Sequence, residues 1–281
     1  TGRELIYGTR KATLLPRKVM VVGGGPAGLK AAAVAAERGH NVTLFEVDTL
    51  LGGQVNLAQL LPGRAEFGGV TTNLSREVHR AGVHVHLNTR VTRDLIDEFA
   101  PDVIVLATGA TPYAPAIEGS EDAHVVSAWE VLKGGANIGA RAVIADWRCD
   151  WVGLGLAEQL ARDGCHVRLA VNGMVAGQTI PQYARDSWLG DLHKLGVEIL
   201  PHMRLFGADA QDAYFQHTLS GEPVILTNVD TLVTSLGTQS FNILEDELAD
   251  WEGELHVIGD CLCPRTVEEA VLEGLKVATY L

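Results

Sequence analysis

The stretch at residues 18–46, KVMVVGGGPAGLKAAAVAAERGHNVTLFE, limits the possible folds more than any other part of the chain. A short apolar β-rich run, Val19 to Val22, enters the turn Gly23-Gly24-Gly25-Pro26-Ala27-Gly28. An alanine-rich helical pattern follows to about Arg38, Gly39 stops it, and a second strand from Val42 to Phe45 ends on Glu46. Strand, G-x-G-x-x-G, helix, strand and acidic residue, in that order, make up a dinucleotide-binding βαβ unit. Gly23 permits the tight turn, Gly25 lets a pyrophosphate approach the backbone, and Gly28 lets the helix pack closely on the strand. The helix N-terminus offers unpaired N–H groups and a positive dipole end to the phosphates, with Pro26 and Ala27 opening the helix. Glu46 is placed to accept hydrogen bonds from a ribose diol.

At 281 residues, 47% hydrophobic and 20% charged, the chain is a core-forming sequence long enough for two domains. A formal net charge of −13 argues against nucleic-acid and anionic-membrane partners. Any nucleotide must therefore be held by local backbone dipoles. The longest apolar stretch, Val19 to Ala36, is interrupted by Lys30 and the glycine turn and does not read as a membrane span. Cys149, Cys165, Cys261 and Cys263 follow neither a C-x-x-C nor a zinc spacing, so a reduced, cytoplasmic protein with no metal site is expected.

Weaker signals continue along the chain. Residues 1–17 form a polar lead-in without a core of its own. After Glu46 comes a glycine-rich loop with a short helix, then a helix over 70–81. Val83, Val85 and Leu87 alternate as a strand whose other face, His84 and His86, is solvated. A buried strand over 102–112 runs into Ala107-Thr108-Gly109. A strand over 139–147, a helix over 151–163, a strand from Cys165 to Val171, a helix over 181–195 and a strand from Val197 to Leu200 come next. After a β-rich stretch to about 227 comes TLVTSLGTQS. The end reads as a strand from Leu255 to Ile258, Gly259-Asp260, and a helix from about 266 with Thr266 and Glu269 as a capping box.

A shift of 125 positions lays Ala36-Glu37-Arg38-Gly39-His40-Asn41-Val42 on Ala161-Arg162-Asp163-Gly164-Cys165-His166-Val167. Leu106 to Thr111 likewise resembles Thr234 to Thr238. Two copies of one α/β half are nested, giving an α/β fold of two Rossmann-like domains, the second inserted in the first. The expected boundaries are 18–112 with 237–281 for the first domain and 113–236 for the second. The second copy has lost its glycines: Arg148 stands for Gly23, Asp150 for Gly25 and Val171 for Glu46, and only Gly28 survives, as Gly153. It is expected to be scaffold or interface, with NAD(P)H binding disfavoured. Trp147 and Trp151 read as packing over the vacated phosphate site. Asp146 and Asp150 read as solvated loop charge, and His166, His193, His202 and His217 share no metal spacing.

The set GGGPAGLKAA, LGGQVN, LATGATP and IGDCLCPRTVEEAVLEGLKVA resembles the C-terminal half of multidomain relatives of Old Yellow Enzyme. These include trimethylamine dehydrogenase, histamine dehydrogenase, 2,4-dienoyl-CoA reductase and related N-demethylases. The likeness covers nearly the whole chain, and its two-domain plan is similar to glutathione-reductase-like FAD/NAD(P) proteins. It implies an N-terminal TIM barrel with FMN and a four-cysteine 4Fe–4S cluster, of which this chain would be a fragment or separated module. Gly2-Arg3-Glu4 resembles the segment after the last cluster cysteine.

The resemblance also implies FAD in the first site, with ADP as the alternative occupant. Gly23, Gly25, Gly28 and Glu46 would take pyrophosphate and ribose. Gly53 and Gln54 match the family's G-G-Q loop, Arg64 its P-G-R element, Thr108 and Gly109 its A-T-G turn, and Gly259 and Asp260 its ribitol-binding pair. The helix from Thr266 would aim its N-terminus at the flavin ring, with Cys261 and Cys263 as small buried residues beside it. The implied activity is oxidation of a small N-methylated amine, electrons passing through FMN and the cluster to FAD and then to an acceptor flavoprotein, in a homo-oligomer. The alternatives are an NAD(P)H-dependent enoate or dienoyl-CoA reductase and an ADP-holding structural half. The residues that oxidise substrate would lie in the barrel, so the catalytic set is unassigned.

Overall fold

A computed structural model describes residues 4–8 and 11–281, with the side chains of 4 and 5 not described. In chain order it contains α1 (Glu4–Tyr7), β1 (Lys18–Val22), α2 (Pro26–Glu37), β2 (Asn41–Phe45), α3 (Val55–Ala58), α4 (Gly68–Arg80), β3 (His84–His86), α5 (Arg93–Phe99), β4 (Val103–Leu106) and β5 (Ala110–Pro112). The middle of the chain holds β6 (Val125–Ser127), α6 (Ala128–Leu132), β7 (Arg141–Asp146), α7 (Trp151–Arg162), β8 (His166–Val171), α8 (Gln182–Lys194), β9 (Glu198–Leu200), β10 (Met203–Ala208), β11 (Ala213–His217), β12 (Pro223–Leu226) and β13 (Thr231–Ser235). Last come β14 (Thr238–Ser240), α9 (Ile243–Glu247), β15 (Glu254–Val257) and α10 (Val267–Tyr280).

The chain divides into two compact units. One takes the residues up to Gln59, Glu66–Thr111 and Thr238–Leu281; the other takes Leu60–Ala65 and Pro112–Gly237. The short 60–65 segment departs from the sequence reading, which kept everything from 18 to 112 in the first domain. The likeness of Gly2-Arg3-Glu4 to the segment after a cluster cysteine falls on Gly2 and Arg3, which lie outside the described residues.

Unit 1 is a parallel five-stranded sheet of order β15-β4-β1-β2-β3. The chain winds outward from β1 to β3, then returns to β4 on the other side, so the strand order reverses at β1, beside the glycine turn. Alternate residues of β1 feed the two faces. Val19 and Val21 join α2, α4 and α10 through Leu29, Leu74, Val78 and Ala278; Met20 and Val22 join Ile96, Leu244 and Leu248. Helix α5, which contributes Ile96, has no strong sequence periodicity and was not expected. It is set by its caps, with the Thr92 hydroxyl accepting from Leu95 N (3.4 Å) and Ala100 in the left-handed region at φ 46°. His84 and His86 are exposed on β3, and the His86 ring stacks on Phe45 with centroids 5.0 Å apart.

Unit 2 repeats the plan. Its parallel sheet has the order β6-β13-β7-β8-β9, so β7, β8, β9 and β13 correspond to β1, β2, β3 and β4. The nested duplication is thus visible in the topology. The antiparallel meander β10-β11-β12 covers one face, packing Leu205 and Phe215 against Val143 and Ala145. In α7, Leu154, Leu156, Ala157 and Leu160 are buried.

Candidate functional site

In unit 1 the turn after β1 is built by backbone close approaches. A Cβ on Gly23 (φ 110°) would collide with the Ala107 carbonyl, and one on Gly28 with the Gly23 carbonyl. Only glycine fits either place. In front of Gly25, by contrast, no other described residue beyond its chain neighbours comes within 4 Å of a would-be Cβ. No side chain caps the N-terminus of α2, with Pro26 at its start, and its first turn carries no acidic residue. The arrangement is an open cradle of backbone donors at a positive helix end, the combination that suits a phosphate.

Glu46, 6% exposed, has a second task the sequence did not reveal. Its Oε2 accepts from Gly24 N (2.6 Å) and its Oε1 from Asp48 N (2.8 Å). The carboxylate thus braces the turn while keeping lone pairs free for a diol. The next loop is tied in as well, Gly52 N donating to Gly24 O (2.8 Å), and a Cβ on Gly53 would stand 3.3 Å from the Gly25 Cα.

Gln54 Nε2 donates to Asp260 Oδ2 (2.9 Å), whose other oxygen accepts from Arg265 N (3.2 Å). These bonds link the glycine-rich loop to the Gly259-Asp260 turn, which lie far apart in sequence. The Gly259 amide donates to Glu273 Oε2 (2.7 Å), and Glu273 is ion-paired with Arg265. Neither Arg265 nor Glu273 was singled out from the sequence. Their only signal is proximity in sequence: Arg265 directly precedes Thr266, and Glu273 follows Glu269 by one turn of α10. Thr108 Oγ1 donates to the Phe241 carbonyl and lies 3.0 Å from Cys261 Sγ, while Gly109 O accepts from Phe241 N (3.0 Å). At the start of α10, Glu269 reaches back to the Thr266 amide (3.2 Å) and completes the expected capping box. Cys261 is buried, but Cys263 is exposed, against the expectation that both would be buried. Burial raises the Cys261 thiol pKa, opposed by the hydrogen bond with Thr108.

Arg64, expected in the P-G-R element of the cofactor site, has its described ring contact elsewhere. It falls in unit 2, where its guanidinium carbon lies 3.4 Å from the centre of the Trp151 ring. Neighbouring Leu61 lies against Gly155 of α7, where a Cβ would meet its Cδ2 at 2.6 Å. Trp151 in turn lies 5.9 Å from the Trp188 ring, whose Nε1 donates to Glu158 Oε2 (2.6 Å).

The corresponding turn of unit 2 is inverted. Asp146, expected to be solvated, is 0% exposed. Its Oδ1 accepts from Arg148 N (3.1 Å) and Cys149 N (2.9 Å), with Cys149 in the left-handed region at φ 50°. Its Oδ2 has no hydrogen-bond partner among the described residues and lies against Gly153, where a Cβ would overlap it. Burial pushes the Asp146 carboxyl up to about 7, the charge of Asp150 adding to the shift and the two amides opposing it. Asp150 caps α7 by accepting from Val152 N (2.9 Å) and pairs with Arg148 at 3.6 Å. Trp147 is partly buried in the meander-side core, beside Tyr113. No group of three or more metal-ligating side chains occurs among the described residues, and no helix of theirs is long and apolar enough to cross a membrane.

Comparison with known proteins adds the family. N,N-dimethylglycine/sarcosine dehydrogenase of Chromohalobacter salexigens is 32% identical over 302 residues, covering 93% of this chain and 43% of that protein. NADH oxidase of Thermoanaerobacter brockii is 32% identical over 289 residues, covering 99% and 43%. The structure of histamine dehydrogenase from Rhizobium sp. 4-9 matches with a TM-score of 0.90 over 97% of this chain and 45% of that one, at 23% identity, a likeness of fold. The chain therefore spans less than half the length of these relatives. The family model described as pyridine nucleotide-disulphide oxidoreductase matches residues 17–253. With two nested Rossmann-like units and that match, the chain belongs to the pyridine nucleotide-disulphide oxidoreductase family, an oxidoreductase family of FAD/NAD(P)-binding type.

Proposed function

We propose that this chain is the FAD-binding, electron-transfer portion of a longer flavoprotein that oxidises a small N-methylated amine. One observation carries the reading: unit 1 has an uncapped glycine cradle, whereas unit 2 has a capped, glycine-poor turn. One nucleotide site is open in form, and the usual entry point for nicotinamide is not. The likeness to N,N-dimethylglycine/sarcosine dehydrogenase supports the substrate class.

In this reading the backbone at Gly23, Gly25 and Gly28, with the Pro26–Ala27 start of α2, holds the pyrophosphate, and Glu46 takes the adenosine ribose. Asp260 takes the ribitol, oriented by Gln54, with Gly259 allowing the backbone to approach. Gly53, Thr108 and Gly109 line the cofactor, and the amide end of α10 at Thr266 stabilises negative charge on a reduced ring. FAD, when bound, supplies a carrier of one or two electrons. Residues of this chain bind and orient it; oxidation of substrate belongs to a barrel with FMN and a 4Fe–4S cluster outside these residues. A flavoprotein acceptor and a homo-oligomeric, cytoplasmic enzyme complete the proposal.

The visible spectrum tests it. Flavin absorbance in the purified chain, or after adding FAD, is expected; its absence in both, with ADP recovered by mass spectrometry, would favour the ADP-holding alternative. A second reading rests on the likeness to NADH oxidase. In that reading NADH reduces the flavin through unit 2, and rapid bleaching on stopped-flow mixing with NADH or NADPH would replace the amine-dehydrogenase assignment.

A further inference from the structure

In unit 2 the turn after β7 is tied together by two acidic residues of its own. At the 125-residue shift Asp146 corresponds to Val21, a plain core residue of β1. That one change from apolar to ionisable reorganises the turn at the end of β7. Two consecutive amides of the turn, at Arg148 and Cys149, point inward to the Asp146 carboxylate. In unit 1 the two corresponding amides have other acceptors: Gly23 N donates to Phe45 O and Gly24 N to Glu46 Oε2.

Gly153 is also put to a different use. In unit 1 its counterpart Gly28 makes room for the Gly23 carbonyl, whereas here the room is taken by the Asp146 carboxylate. The surviving glycine of the motif therefore makes room for the buried acid. Above it the Arg148 side chain lies across Gly237, where a Cβ would meet its Cδ at 3.0 Å; this is the turn that corresponds to Gly109. The helix end is closed by Asp150. An incoming pyrophosphate would find the helix capped and two carboxylates within repulsive range.

We propose that Asp146 is the residue that bars nicotinamide dinucleotides from unit 2, by holding the turn amides inward and fixing Arg148 and Asp150 across the cleft. The inference goes beyond the FAD assignment, which concerns unit 1 alone. It also makes a claim sharper than the loss of glycines: restoring glycine at 148 and 150 should not by itself reopen the site.

The test uses the chain loaded with FAD and ADP-ribose as the probe, read by calorimetry and by amide hydrogen exchange over 146–153. Wild type and the double variant Arg148→Gly/Asp150→Gly are expected to show no protection of 146–153. Adding Asp146→Val, the residue found in unit 1, should give binding at least tenfold tighter than the double variant, with protection of 146–153. Protection in wild type, equal binding by the double and triple variants, or no gain in a folded triple variant overturns the proposal. Should the triple variant fail to fold, single substitutions decide. Asp146→Ala should speed exchange at the Arg148 and Cys149 amides at least tenfold, and Asp146→Asn, which keeps an acceptor, should leave it unchanged. Unchanged exchange in a folded Asp146→Ala overturns the proposal. Failure of the FAD assignment would show instead as ADP-ribose protecting residues 22–29, so the two failures are distinguishable.

Discussion

The two glycine turns begin from the same strand–turn–helix plan and end in opposite chemical states. In unit 1 a carboxylate from the neighbouring strand, Glu46, braces the turn from the side and leaves the end of α2 uncapped. In unit 2 a carboxylate from the turn's own strand, Asp146, holds it from beneath, and Asp150 caps α7. Both solutions satisfy the two turn amides, yet only the first leaves the end of its helix without a side-chain cap. Where a carboxylate enters a Rossmann turn thus matters as much as how many glycines the turn retains.

The contrast between the turns is most exposed to disproof at Gly28. Gly28→Ala pushes a methyl into the Gly23 carbonyl and should cost about 3 kcal/mol or more, read by chemical denaturation, with loss of bound flavin. A variant of wild-type stability and flavin content would show that the close approach is not required. Next in size is the pH dependence of Asp146. Its folded pKa lies above the usual carboxylate value, so the stability linked to it is fully present below about pH 4 and is lost as the pH rises towards about 7. Asp150 faces the group and strengthens the effect, while Arg148 and the two amides weaken it. Wild type should therefore lose roughly 2–3 kcal/mol relative to Asp146→Asn across that window, measured by urea unfolding at a series of pH values. Parallel curves for the two proteins would remove the buried acid from the account.

Glu46→Gln should weaken flavin binding by about 2 kcal/mol, roughly 30-fold, by fluorescence titration, because an amide cannot serve both N–H donors and a ribose diol. Smallest is Arg64→Ala. With the guanidinium stacked on Trp151, its loss should lower the unfolding temperature of unit 2 by the equivalent of about 1 kcal/mol and leave flavin affinity unchanged. A large fall in flavin affinity would return Arg64 to the cofactor site.

The fold was legible because its signals are local. Gly23, Gly28 and Glu46 lie within one βαβ unit, and the repeat at a fixed shift exposed the second copy. Thr266 and Glu269 capped α10 as their spacing required. What escaped depended on contacts remote in sequence. Asp146 follows an apolar strand and precedes a charged turn, so it reads as the first solvated residue; only the closed turn above it and Gly153 beneath make it buried. Arg64 sits in a family-like element, but its ring partner Trp151 lies far along the chain, on α7 of the same unit. Helix α5 was hidden because its short amphipathic run rests on one capping hydroxyl and one left-handed residue.

The segmented make-up of the two units has a consequence for how the chain acquires its shape. Unit 1 is completed by β15, whose Glu254 registers with Val103 of β4, a pairing that closes a very long loop. Most of unit 2, Pro112–Gly237, is contiguous and lies wholly upstream of that strand. During synthesis from the N-terminus, the inserted unit has its whole parallel sheet available while the β4 edge of the first sheet still waits for a partner. The glycine-rich half is therefore the one finished last, and an unpaired β4 edge is the point at which a nascent or truncated chain is most exposed to wrong association.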